Sequence, residues 1–144
     1  MKNELEISVI QSNIALKKKC ENLKSFDKLI SKITSSNVIL LPEMFNTGFC
    51  PQEKKLAETM EGETVNWMLQ KSIEKKCSIA GTLMVSDGGN VYNRLIWVNS
   101  DQKIFFYDKV HLFSIAEEHK YIDKGKKRLI INDYGWKICP LICY

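Results

Sequence analysis

The sequence predicts an α/β fold, and three features of the 144-residue chain predict it. An alternating segment is followed by a segment of helical period and then by a continuous apolar run, the order of a βαβ unit. Turn-rich stretches next separate several shorter runs of strand character. The chain then reaches Trp136–Tyr144, a run that is apolar on both faces and reads as a strand at the centre of a sheet.

Taken in order, Glu4 to Gln11 places Leu5, Ile7 and Val9 on one side and predicts the first strand with one buried face. From Lys17 to Ile33, the apolar positions Cys20, Leu23, Phe26, Leu29, Ile30 and Ile33 recur every three or four residues, the stripe of an amphipathic helix. Val38 to Leu41 is then uninterrupted and apolar, a strand buried on both faces and parallel to the first. Asn46 to Glu61 has neither period and holds Gly48 and Pro51, so it reads as a loop. Glu63 to Lys76 returns to helical spacing, and its acidic start and basic end suit the helix dipole. Cys77–Val85, Val91–Val98 and Lys103–Tyr107 follow as strands of an antiparallel meander, with Asp87-Gly88-Gly89-Asn90 as the first turn. Asp108 to Lys127 reads as a structured loop. Arg128–Ile131 and Trp136–Tyr144 are the last strands, joined by Asn132-Asp133-Tyr134-Gly135.

Composition excludes several classes. A hydrophobic content of 44% with 26% charged residues is a globular balance, so disorder and collagen-like structure drop out. The longest apolar run, Val38 to Pro42, is far short of the ~20 residues of a bilayer span, and Met1 to Ile10 lacks the apolar core of a signal peptide. A cytoplasmic protein with no membrane partner is expected. Five cysteines without a C-x-x-C pair point to reduced thiols rather than a disulfide framework or zinc knuckle. A net charge of +4, with lysines spread along the chain, gives no nucleic-acid footprint.

Sites in α/β sheets gather at the carboxyl ends of strands, and three polar or nucleophilic side chains stand there. Glu43 follows the buried run Val38–Leu41, Lys109 follows Lys103–Tyr107 after one residue, and Cys143 stands near the end of Trp136–Tyr144. Each also has an ordinary reading: a solvated strand-end charge for Glu43 and Lys109, a small core residue for Cys143. Cys139 and Cys143, four residues apart on one strand, would be separated by roughly 13 Å, too far for a disulfide.

The words around these residues carry a resemblance. Leu41-Pro42-Glu43-Met44-Phe45-Asn46-Thr47-Gly48-Phe49 resembles the glutamate motif of the nitrilase superfamily of carbon-nitrogen hydrolases. Tyr107-Asp108-Lys109-Val110-His111-Leu112-Phe113 resembles its lysine motif, and Pro140-Leu141-Ile142-Cys143-Tyr144 its cysteine motif, in the family's order. The Pro42-Glu43-Met44-Phe45 wording and Ala116-Glu117-Glu118-His119-Lys120-Tyr121 are most similar to the omega-amidase branch.

The resemblance implies an α-β-β-α sandwich, with residues 1–144 as the N-terminal part of a single hydrolase domain truncated after the nucleophile strand. It implies a Glu43, Lys109 and Cys143 triad, with Glu118 as a supporting glutamate and the backbone N–H of Tyr144 facing the oxyanion. Phe45, Phe49 and Tyr121 are candidates for lining a pocket, with a core role as the alternative. His111 and His119 read as structural. The implied reaction is hydrolysis of a linear amide, such as the terminal amide of 2-oxoglutaramate, through a cysteine thioester and with no cofactor or metal. The partner is then a small-molecule amide, and the full-length family member is expected to be a homodimer. Two other readings stand beside this one: an inactive or complementation-dependent fragment of such an enzyme, and a small non-catalytic binding domain.

Overall fold

Val38, Ile39 and Leu40 are apolar, and two of them are β-branched, which suits a strand enclosed by neighbours on both sides. In the computed structural model, which describes residues 4–143, they form β2 (Val38–Leu40), flanked by parallel β1 (Ile7–Val9) and parallel β3 (Ser78–Asp87). Helix α1 (Lys19–Ser31) connects β1 to β2 and buries Leu23, Phe26 and Ile30 of the predicted stripe, with Leu29 partly buried and Cys20 exposed at its first turn. Helix α2 (Glu63–Lys75) leads into β3 and ends on Lys76, whose φ of 51° makes it a left-handed cap.

Strands β3, β4 (Asn90–Val98) and β5 (Ile104–Asp108) form the predicted antiparallel meander, and the five strands lie in the order β1-β2-β3-β4-β5. Gly88 and Gly89 both have positive φ, 58° and 84°, which a two-residue hairpin turn of the primed type requires.

The two faces of this sheet have different cover. On one, Ile39, Ile79, Leu83, Val85 and Ile96 pack with Phe26, Ile30, Val65 and Met68 of the helices. On the other, Val38, Ala80, Leu95, Trp97 and Tyr107 meet Ile131 and Ile142. The cover on that second face is a small hairpin, β6 (Ile131–Asp133) and β7 (Trp136–Ile138), paired to each other. Its Tyr134-Gly135 turn again has two positive φ values, 50° and 83°. Asp133 pins the hairpin to the sheet, accepting hydrogen bonds from Ser78 Oγ at 2.5 Å and Trp97 Nε1 at 2.9 Å.

Three expectations are corrected. The strand expected at Arg128–Ile131 lies later in the chain: residues 128–130 are irregular, and β6 takes in Asn132 and Asp133 of the expected turn. The apolar run that ends the chain is not one long central strand: β7 stops at Ile138, residues 139–143 are irregular, and Leu141 and Cys143 are exposed. Pro140 accounts for the stop, since it has no N–H to give to a ladder. The side of β1 that holds Ile7 and Val9 is not buried either, with Val9 73% exposed. These residues lie opposite Val38 and Leu40 at the sheet edge, beyond the reach of the hairpin.

Candidate active site

Glu43 occupies a turn that the end of β2 cannot form without strain. Its neighbour Met44 has φ of 47°, uncommon for a residue with a side chain. The strain is held by bonds to β3: Met44 N donates to Thr82 Oγ1 at 2.8 Å, and Phe45 N donates to Thr82 O. Two residues on, Asn46 is buried and ties this turn to the start of α2 through Glu58 and Thr64.

Lys109 is placed by a pair of consecutive residues on β4. Strand residues alternate in direction, so Asn93 and Arg94 point to opposite faces of the sheet. Arg94 grips Asp108 with a two-pronged contact of 2.6 and 3.0 Å, which fixes the end of β5 from the helix side. Asn93 O accepts the Lys109 N–H at 2.9 Å on the same rung.

The Lys109 ammonium is 1% exposed and bonded to Glu43 Oε1 at 2.7 Å and Glu118 Oε2 at 2.8 Å. Burial is the largest single influence on this amine and opposes its charge. The hydrogen bonds and charges of Glu118 and Glu43 together outweigh it and hold the Lys109 pKa above the ordinary lysine value. The group is therefore a cation at neutral pH, held between two carboxylates. That ammonium occupies the space where a metal ion would need both acids, and among the described residues no three His, Cys, Asp or Glu side chains converge on a cation site.

Glu118 arrives from the loop after β5, within a short turn of 3₁₀ helix at Glu118–Lys120. It is fully buried, and its Oε2 also accepts the Phe113 N–H at 2.7 Å, so the loop is closed on its own carboxylate. The neighbouring Glu117 is exposed and pairs only with Lys120 among the described residues. The structure thus brings Glu118, not Glu117, to Lys109.

Cys143 is exposed and has φ of 55°. It shares with Glu43 the wall of a cavity of about 370 Å³ that runs along the apolar face of the sheet under Ile138 and Ile142. Two of the other four cysteines, Cys50 and Cys77, are buried, and burial pushes the Cys77 thiol up to about 11. Neither has the access that a nucleophile needs.

The remaining sequence candidates separate. Phe45 is a core residue and not a pocket wall: it is fully buried, edge-on to Phe26 at 5.5 Å and beside Trp67 at 5.8 Å. Phe49 stays close to the charge cluster, its ring 5.6 Å from Lys109 Nζ and 6.4 Å from the Phe113 ring. Tyr121 packs on the cluster of Met44, Cys50, Met84 and Ile122. His111 and His119 are exposed. The Tyr144 backbone, expected at the oxyanion, lies outside the described residues.

Asn93 was not among the candidates read from the sequence, although it donates from Nδ2 to Glu43 Oε1 at 2.7 Å and to Glu118 Oε1 at 3.0 Å. The usable signal was register. Asn93 shares a strand face with the apolar Leu95 and Trp97, so an amide there is out of pattern.

This architecture has close counterparts among solved structures. A CN-hydrolase superfamily protein from Xanthomonas campestris, with an arsenic adduct in its active site, superposes with a TM-score of 0.93 at 32% identity, over 97% of this chain and 53% of that one. Saccharomyces cerevisiae Nit3, a member of branch 10 of the nitrilase superfamily, matches with a TM-score of 0.84 at 23% identity, over 97% of this chain and 55% of that one. The fold is therefore the nitrilase-type α/β fold. Residues 6–144 match the carbon-nitrogen hydrolase family, and the chain belongs to it. Among curated relatives, it is 36% identical to the omega-amidase YafV of Escherichia coli, over 97% of this chain and 54% of that protein. It is 30% identical to the 2-oxoglutaramate amidase of Bacillus subtilis, over 96% and 55%. The chain spans about half the length of the curated relatives it matches.

Proposed function

We propose that this chain carries the catalytic Glu43, Lys109 and Cys143 of an amidase that hydrolyses the terminal amide of a short 2-oxo-dicarboxylic monoamide such as 2-oxoglutaramate. The observation that carries the reading is the placement of Glu43: one oxygen contacts the Lys109 ammonium at 2.7 Å, and the side chain lines the same cavity as Cys143. The names of the omega-amidase and 2-oxoglutaramate amidase relatives support the choice of substrate.

An amide carbonyl is a poor electrophile, and only a few per cent of an ordinary thiol is ionised near neutrality. Glu43 removes the Cys143 proton as Sγ forms its bond to the carbonyl carbon. The carbonyl oxygen takes up the electron pair and becomes an oxyanion beside the Lys109 ammonium, which two carboxylates hold in place before the reaction starts. Collapse re-forms the carbonyl and breaks the C–N bond, and Glu43 returns the proton to the departing nitrogen, so ammonia leaves. A water then gives a proton to Glu43 and adds to the thioester. Expulsion of Sγ, which recovers that proton, yields the carboxylic acid and the free thiol. Phe49, whose ring lies 5.6 Å from Lys109 Nζ, is the aromatic candidate for facing the acyl portion.

The test is ammonia release from 2-oxoglutaramate by the protein that carries this chain. Release is expected to vanish in Cys143→Ala and to fall at least ~10²-fold in Glu43→Gln. Undiminished turnover by Cys143→Ala would remove the thiol from the mechanism. Turnover of other linear amides with none of 2-oxoglutaramate would keep the mechanism and discard the substrate.

A further inference from the structure

We infer that Asn93 is a positioning residue that reserves one oxygen of Glu43 for proton transfer, a refinement that rests on the amidase reading above. The Asn93 amide has two N–H hydrogens and lies 2.7 Å from Glu43 Oε1 and 3.0 Å from Glu118 Oε1, so one hydrogen goes to each carboxylate. Two acceptors that close also fix which way the amide faces, because its own oxygen there would be repelled. The Lys109 ammonium has three hydrogens, of which one goes to Glu43 Oε1 and one to Glu118 Oε2.

Glu43 Oε1 consequently accepts two bonds, one from an amide and one from a cation, and both its lone pairs are used. Glu118 accepts three bonds in all, one at Oε1 and two at Oε2, and is fully buried, so its carboxylate is shut off from water. Among the described residues, Glu43 Oε2 accepts no hydrogen bond, and the Glu43 side chain is 27% exposed at the cavity it shares with Cys143. Proton traffic between thiol, leaving nitrogen and water is thereby confined to one oxygen. The third Lys109 hydrogen is left for the oxyanion.

Asn93 has a second mark of a functional position. It is fully buried, yet its Oδ1 has no hydrogen-bond partner among the described residues. A buried acceptor without a partner costs free energy, which a purely structural role would have removed by an apolar residue. The amide is kept for its donors.

Asn93→Leu keeps the shape of the side chain and removes both donors. The kcat for amide hydrolysis is expected to fall about 10- to 100-fold with KM within a factor of two or three, because Glu43 loses alignment and not substrate contact. The acidic limb of the kcat profile should also move to higher pH, since a carboxylate deprived of a donor is protonated more easily. A lowered thermal midpoint with an unmoved acidic limb would make Asn93 merely structural and overturn the proposal. Should Asn93→Leu fail to fold, the wild-type protein supplies the measurement: the Asn93 side-chain amide resonances are expected to shift across the same pH interval as the acidic limb. Resonances that stay fixed over that interval would overturn the proposal equally. A wild-type protein with no amidase activity, by contrast, would refute the amidase reading on which the proposal rests.

Discussion

Burial alone would lower the Lys109 pKa, and its two carboxylate partners reverse that outcome. The sign of the linkage follows from the raised folded-state pKa. The stabilisation is complete below the ~10.4 at which an unfolded lysine titrates, and it is lost as pH rises through the higher folded-state value. Wild-type protein, followed by chemical denaturation from pH 8 to 12, should show this alkaline loss as one component of its stability profile. Lys109→Met should lack that component and be less stable at pH 7 by about 3–5 kcal/mol, because it leaves the buried Glu118 without its cation. Equal pH 7 stabilities would mean that the ammonium contributes no net attraction. At this scale the sequence was informative only where a motif spoke. Glu43, Lys109 and Glu118 were found through their neighbours in the chain, whereas Asn93 makes its two contacts 50 and 25 residues away, and the strand pattern marks it only as an amide on an apolar face without naming its partners.

The elements themselves were legible wherever one period dominated. Both helices and the β3-β4-β5 meander follow from spacing and from the Gly88-Gly89 turn. The end of the chain was misread because apolarity reports burial and not hydrogen bonding: Ile142 is buried as expected, yet Pro140 prevents the strand that would have carried it there. Glycine gives a sharper case. Gly125, in the loop after Glu118, donates its N–H to Lys109 O at 2.9 Å, and a Cβ at this position would fall 2.0 Å from Asp108 O. The loop and the end of β5 touch backbone to backbone, and no flexible side chain is there to yield. Gly125→Ala is therefore expected to cost about 1–3 kcal/mol by overpacking. It should also lower turnover, because the carbonyl it displaces belongs to the residue before Lys109. A shifted urea midpoint with unaltered kcat would show that the displacement is absorbed elsewhere.

Across the whole molecule, the two faces of the five-stranded sheet are unequal, and the inequality predicts behaviour. The helix side is closed over a continuous core, while the other side is covered only where the β6-β7 hairpin lies. Ile7 and Val9 of β1 and Leu141 beside the hairpin are exposed at 47%, 73% and 64%. Ile7 and Leu141 also stand on the wall of the cavity that holds Cys143 and Glu43. Contiguous apolar surface of this kind is uncommon on an isolated soluble chain and binds hydrophobic dyes or like surfaces. The 144-residue chain in isolation is thus expected to bind anilinonaphthalene sulfonate strongly and to self-associate with rising concentration. Ile7→Ser combined with Val9→Ser should reduce both effects while shifting stability by about 1–2 kcal/mol, since Val9 is already largely in water and Ile7 about half so. The contrast with a core position is the control that gives this meaning: a substitution such as Ile39→Ser, at 0% exposure, should instead unfold the sheet and increase dye binding. If the double variant bound dye as strongly as the wild type, the responsible surface would lie away from the face that carries the site.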